Sequence, residues 1–170
     1  MTGEAIKYLI DSNVFIEANR RYYSLDFALP FWKFLINSTR EGRTLSIDRV
    51  YDEILKGKDN LADWAKRSFS FAFADTKDDE QIIEFYGGLM QWAVKQIQYT
   101  QAAKDEFARV DNADAWIISY AKVNSCIVVT QEVLDLNIKK KIPIPNVCKE
   151  FGVKYVDTFQ MLRELDFKFL

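Results

Sequence analysis

The chain has 170 residues, 49% of them hydrophobic and 15% aromatic, so it can bury a good core without disulfides or structural metal, and a single domain over 1–170 is the expectation. A formal charge of −2 excludes the basic excess that drives indiscriminate nucleic-acid binding, leaving such contacts to local patches or bound cations. Histidine is absent, which removes the commonest general base, the commonest transition-metal ligand and every Ser-His or Cys-His nucleophile, so that any catalysis falls to carboxylates.

The first element is KYLI, residues 7–10, an apolar run that stops on Asp11. It reads as a strand, and a polar and then basic-aromatic stretch follows through NRRYY. PFWKFLINSTREG, with Pro30 near its start and Gly42 at its stop, reads as a helix. TLSI (44–47) is the second strand, and DRVYDEILKGK follows as a helix with Asp48 expected at its N-cap. Residues 60–107 form an aromatic-rich block expected to be helical, LADWAKRSFSFAFA and then DDEQIIEFYGGLMQWAVKQIQY, whose rings suit core packing. VDNADAWIISYAK is a helix with Asp111 expected at the cap, and it feeds the strand CIVVT (126–130). The triple lysine Lys139, Lys140, Lys141 leads into IPIPN, expected to be a Pro-punctuated loop. NVCKEF is amphipathic, and VKYV (153–156) is the fourth strand.

Three of the four strands are near-continuous apolar runs, as in parallel strands covered on both faces, with helical segments between them. The expected fold is therefore α/β, a three-layer α/β/α sandwich around a central, mostly parallel sheet. Cys126 and Cys148 lie in apolar surroundings and read as free, buried thiols of a reducing compartment. No run approaches the ~18 apolar residues of a membrane span, and the start of the chain lacks a signal-peptide pattern, so a cytoplasmic protein is expected.

In open parallel sheets ligands bind beyond the carboxyl ends of the strands. Asp11 and Glu132 fall there, after the first strand and after CIVVT. Asp114, three residues beyond Asp111 in the first turn of its helix, is a third candidate, although an Asp-x-x-Asp pair can also serve as a capping box. On the helix DRVYDEILKGK the apolar face leaves Asp52 and Glu53 on opposite flanks, and periodicity does not choose between them. Two unit charges about 4 Å apart repel by about 4 kcal/mol at an effective dielectric of about 20, against a typical domain stability of ~5–15 kcal/mol. Converging carboxylates therefore call for protons or divalent cations, and hard oxygen ligands favour Mg²⁺ or Mn²⁺.

LIDSNVFIE, VYDEI, ADAWIISYA and VVTQE, in that order, resemble the motifs of the PIN domain, the nuclease fold of VapC-type toxins and RNA-processing enzymes. YYSLDFALPFW, the Asp-Ala-Trp helix, VVTQE and KKKIPIPNVCKEFGV are similar to an uncharacterised bacterial and archaeal branch of it. The resemblance covers nearly the whole chain. It implies that Asp11, Glu53, Asp114 and Glu132 are catalytic and metal-binding, and so favours Glu53 over Asp52. It also implies that Asn13, Thr130 and Ser12 orient carboxylates or water. The family usually has Asp at the fourth acid, where this chain has Glu132.

The activity implied is that of a Mg²⁺- or Mn²⁺-dependent endoribonuclease hydrolysing RNA phosphodiester bonds, a toxin neutralised by an antitoxin protein, with a homodimer as the common assembly. Arg20, Arg21, Tyr22, Tyr23 and Lys139, Lys140, Lys141 are the expected RNA contacts, cations for phosphates and rings for unpaired bases. The alternative is a catalytically weak PIN-fold module that binds RNA or a partner. An aspartate phosphoryl-transfer or receiver-like domain fits less well, because DSNV lacks a second Asp and VKYV does not end in lysine.

Overall fold

The computed structural model describes residues 5–169; residues 1–4, on which part of the leader reading falls, and residue 170 lie outside the described residues. β1 (Tyr8–Ile10) is followed by α1 (Ser12–Glu17), which continues into a π-helical turn, Ala18–Tyr22. α2 (Leu29–Arg40) carries Pro30 in its first turn, where a missing N–H costs nothing. The chain then turns at Gly42, whose φ of 75° a side chain would disfavour, into β2 (Thr44–Ile47). α3 (Asp48–Lys56) and α4 (Asn60–Trp64) come next, and α4 winds through π and 3₁₀ turns into β3 (Phe73–Ala74). α5 (Glu80–Lys95), α6 (Gln101–Phe107) and α7 (Asp114–Asn124) precede β4 (Ile127–Val129). α8 (Ile144–Phe151), β5 (Tyr155–Val156) and α9 (Thr158–Glu164) complete the order.

The strands form one sheet in the order β3-β2-β1-β4-β5, with every pairing parallel. Leu9 lies between Leu45 of β2 and Val128 of β4 and is wholly buried. With helices flanking the sheet, this is the three-layer α/β/α sandwich read from the apolar runs. Chain progression runs from β1 to β2 to β3 on one side and from β4 to β5 on the other. The direction therefore reverses between β1 and β4, and the crevice beyond their carboxyl ends is the topological switch point.

Three local expectations differ from what is seen. The 60–107 block is mostly helical but also contains β3, which pairs Phe73 with Ser46 and Ala74 with Ile47. A two-residue strand leaves no periodicity in sequence, and tertiary contact with the open side of β2 makes it. Asp48 is the first residue of α3, whose cap is Ile47; its carboxylate accepts the Arg49 N–H (2.9 Å) and also the Thr76 N–H (3.3 Å) and Oγ1–H (2.7 Å), which fastens the chain just after β3. In IPIPN the backbone turns helical at Ile144, with Pro145 in the first turn, so the second half of the expected loop belongs to α8.

Most aromatic residues of the 60–107 block pack in or against the core, Phe71 being exposed. Phe69 is wholly buried, stacked on Trp64 at 4.7 Å and edge-on to Phe15 and Phe73. Tyr86 of α5 stacks on Trp116 of α7 at 3.9 Å, with the Arg49 guanidinium 4.2 Å from the same indole. Those contacts fix α7 against α5 and α3. Cys126 and Cys148 are free and buried, and burial pushes their thiols up to about 11 and about 12. Among the described residues no helix is long and apolar enough to cross a membrane.

Candidate active site

β1 ends at the switch point, and its last turn places Asp11 there. The Asp11 N–H bonds the Val129 carbonyl of β4 at 3.0 Å, and its own carbonyl accepts the first helical bond of α1 from Val14. An Asp at the head of a helix normally turns its carboxylate onto the free amides. Asp11 does not; its carboxylate makes no cap bond and instead accepts Thr130 Oγ1–H at 3.1 Å and Ser12 Oγ–H at 3.3 Å. The residue is 0% exposed. Burial, with the charges of Glu132 and then Glu53 adding to it, raises its carboxyl from 3.8 to about 7.

Thr130 is buried at the end of β4, and its hydroxyl serves both sides of the crevice. While donating to Asp11 it accepts the Glu132 N–H at 3.2 Å. Glu132 then reaches the start of α8, where Oε2 accepts the Ile144 N–H at 2.8 Å, and Oε1 is paired with the Lys141 ammonium.

Asp114 is the first residue of α7. Asp111, expected as the cap of this helix, lies outside it, exposed and paired with Arg109 (2.8 Å) and Lys56 (3.3 Å). The capping is done by two other side chains. Asn112 Oδ1 accepts the Asp114 N–H at 2.9 Å, and Glu53 Oε1 accepts the Ala113 N–H at 3.1 Å. The Asp114 carboxylate makes no cap bond. Burial, and the charges of Asp11 and Glu132, hold it well above the ordinary carboxylate value, against an opposing pull from Lys141.

Four elements thus bring Asp11, Glu53, Asp114 and Glu132 into one electrostatic cluster. Asp52 turns out into solvent, whereas Glu53, one residue on, faces α7. A crevice of about 290 Å³ is lined by Ser12, Asn13, Glu53, Asp114 and Lys141 together with Lys56, Glu106, Arg109, Asp111 and Asn112; Asp11 and Glu132 are not in its lining. Asn13 is exposed and Ser12 buried. The NRRYY segment does not line it. Arg20 is exposed, Arg21 pairs with Glu17 at 3.0 Å, Tyr22 sits edge-on to Phe159, and Tyr23 stacks on Phe31 at 4.7 Å. Lys139 and Lys140 are exposed, and only the third lysine of the run turns in. Asn112 was missed in sequence although Asx before a helix is a capping signal, because Asp111 offered the same chemistry one residue earlier.

The donor set is all hard carboxylate oxygen, which suits Mg²⁺ or Mn²⁺. Asp11 and Asp114, among the described residues, lack a basic partner within ion-pair distance, so the residues fit a divalent cation by charge and chemistry. They do not form a finished cage: among the described residues no group of three or more acids is already arranged to hold an ion. A bound ion would have to draw the side chains together.

Residues 8–169 match the family model described as a domain of unknown function, DUF4411. No curated protein matches the chain. The crystal structure of FitAcB from Neisseria gonorrhoeae aligns over 87% of this chain and 95% of its own, at 16% identity and a TM-score of 0.51. The structure of FitAB bound to an IR36 DNA fragment aligns over 88% and 94%, also at 16% identity, with a TM-score of 0.53. At that identity the likeness is one of fold, and it agrees with the PIN-like sandwich.

Proposed function

The chain belongs to the DUF4411 family, and we propose that it is a metal-dependent endoribonuclease, the toxin half of a toxin-antitoxin pair. The single observation that carries the reading is the convergence at the switch point of four carboxylates, two of them, Asp11 and Asp114, without a basic partner. The PIN-like fold supports it, as does the likeness to FitAB, a complex seen on DNA; a separately encoded antitoxin is the matching partner, and a homodimer the matching assembly.

A bound Mg²⁺ or Mn²⁺ would supply an acidified water and would neutralise charge building on the phosphate. Asp11, Glu53, Asp114 and Glu132 would hold the ion. Thr130 fixes the Asp11 carboxylate, and Ser12 assists it. Asn13, exposed in the crevice lining, is placed to orient water or a phosphate oxygen. Lys56 and Arg109 at the rim give the RNA backbone cationic contacts. In the hydrolysis, the water oxygen bonds to phosphorus as the bond from phosphorus to the leaving ribose oxygen breaks. The proton of the water passes to a crevice carboxylate, and the leaving oxygen takes one from solvent.

The experiment is cleavage of a broad panel of single-stranded and structured RNAs by the full chain with Mn²⁺, with Mg²⁺ and with chelator. Cleavage that needs the ion and disappears in Asp11→Asn is expected; equal activity in the variant, or cleavage indifferent to chelator, overturns the reading. One observation favours a second reading, a binding module that keeps the acid cluster without turning over RNA: the acids are not already a ligand cage. RNA binding without cleavage across the panel would establish that reading instead.

A further inference from the structure

We infer that the groove between α2 and the turns leading into β3 is a second contact site for single-stranded RNA, in which Lys33, Arg40 and Arg67 take backbone phosphates and the exposed ring of Phe71 stacks against a base. The site rests on the nuclease reading for its ligand, RNA, but lies outside the acid crevice, so binding there is separable from cleavage.

The two walls follow from the local sequence. Lys33 and Arg40 stand at positions i and i+7 of α2, on the face turned away from its buried Phe31, Trp32 and Leu35. The facing wall is the π-helical turn Ala65–Phe69 and the 3₁₀ turn Ser70–Ala72, which bring Arg67, Ser70 and Phe71. Phe69 and Ala72 are buried, so the segment is pinned on either side of Phe71, whose ring stays 52% exposed. Between the walls is a groove of about 480 Å³, within the ~300–1,000 Å³ of clefts that hold small ligands. Because α2 runs into β2 and the 3₁₀ turn into β3, it lies at the amino ends of those strands, the opposite end of the sheet from the acid crevice.

The charge of the groove is one-sided. Among the described residues three cations and no acid line it, and none of the three has a carboxylate within ion-pair distance. Glu41, beside Arg40 in sequence, is taken by Arg43 at 2.9 Å. On a chain of formal charge −2, a patch of this kind is where phosphates are attracted, and the two guanidinium forks match phosphate oxygens. The ring narrows the ligand further. The Arg40 guanidinium carbon is 5.7 Å from the Phe71 centroid, so a phosphate contact and a π-face stand side by side, the combination that holds single strands without reading their sequence. An acidic peptide uses the cations and leaves the ring idle, and a duplex keeps its bases stacked inside.

The test is fluorescence anisotropy of a short, unstructured, labelled RNA oligonucleotide titrated with the full chain in chelator over a range of salt. Wild type should bind it more tightly than the same sequence as a duplex or than polyglutamate. Arg40→Gln with Arg67→Gln should bind at least tenfold more weakly and flatten the slope of log affinity against log salt by about 1.4, the counterion release of two single-strand phosphate contacts. Phe71→Leu should weaken binding about fivefold or more with the slope kept. Lys149→Gln with Lys154→Gln, which removes the same charge from exposed positions elsewhere, should bind as wild type does. Lys33→Gln with Arg67→Gln serves if the first double variant fails to fold. No binding by wild type, equal losses in the groove and control variants, unchanged binding in Phe71→Leu, or a duplex or polyglutamate bound as tightly as the strand overturns the groove assignment, and Mn²⁺-dependent cleavage by the same protein then leaves the nuclease reading standing. Groove-dependent binding without such cleavage supports the groove and overturns the nuclease reading instead.

Discussion

Replacing Asp11 by Asn should make the metal-free protein more stable at neutral pH while abolishing cleavage. The carboxyl titrates at about 7 in the fold and at 3.8 when unperturbed, because it is buried and faces Glu132 and Glu53. An acid raised in this way favours the fold fully below the unfolded value, and the advantage is lost as pH rises through about 7. Roughly three pKa units at about 1.4 kcal/mol each amount to about 4 kcal/mol lost between pH 4 and pH 7. Asn keeps the shape and cannot ionise. Its amide has one acceptor oxygen where the carboxylate accepts from both Thr130 and Ser12, which costs about 1 kcal/mol. The net gain at pH 8 is therefore about 3 kcal/mol. Urea denaturation with chelator at pH 4, 6 and 8 measures it: the wild-type midpoint should fall with pH through the titration of Asp11, and that part of the slope should vanish in the variant. Excess Mn²⁺ should restore stability to wild type alone. Parallel pH profiles, or a variant less stable than wild type at pH 8, would refute the argument that Asp11 is a buried, repelled acid.

Glu53→Gln keeps an acceptor for the Ala113 N–H, so it should fold normally yet lose at least tenfold in Mn²⁺-dependent cleavage, while Asp52→Asn, out in solvent, should match wild type; kinetics on the same RNA compare them. Thr130→Val removes the hydroxyl shared by Asp11 and the Glu132 N–H, which should cost about 1–3 kcal/mol in urea denaturation and raise the Asp11 carboxyl further. Phe69→Ala should cost about 3–5 kcal/mol and lower Tm by roughly 10 °C, because the ring is wholly buried among Trp64, Phe15 and Phe73; calorimetry checks this.

How far the fold could be read in sequence depended on the length of each signal. The four strands were legible, three of them because a near-continuous apolar run is largely buried in β1, β2 and β4 and has nowhere else to go, and so was the position of Asp11 and Glu132 just beyond two of them. β3 was not, because two residues carry no period and the strand exists only through pairing with β2. Asp52 and Glu53 looked alike because amphipathic spacing records which face is apolar and is silent on which flank meets α7. The cap of that helix was placed two residues early, since Asp111 has capping chemistry; Arg109 and Lys56 draw it outward and leave the task to Asn112. The lysine run could not say which of its members turns inward. That follows from Ile142 entering the core, a tertiary fact.

The charge balance of the crevice is itself an argument about use. A fold of ordinary stability, ~5–15 kcal/mol, gives up a sizeable share to keep a buried Asp beside other acids. Compensation is nevertheless within the chain's means, because Glu132 has both Lys141 and a helix amide. It is uneven. Asp11 has two neutral hydroxyl donors and repelling neighbours, and Asp114 has repelling neighbours offset only by the pull of Lys141. A purely structural cluster would gain from a cation at the middle as well as at the edge, and Lys56 and Arg109 stand close by at the rim, both occupied with Asp111. The negative charge left over is concentrated where β1 and α7 meet the crevice, so a small, exchangeable divalent ion brought in with substrate would relieve it and a fixed lysine there would block it.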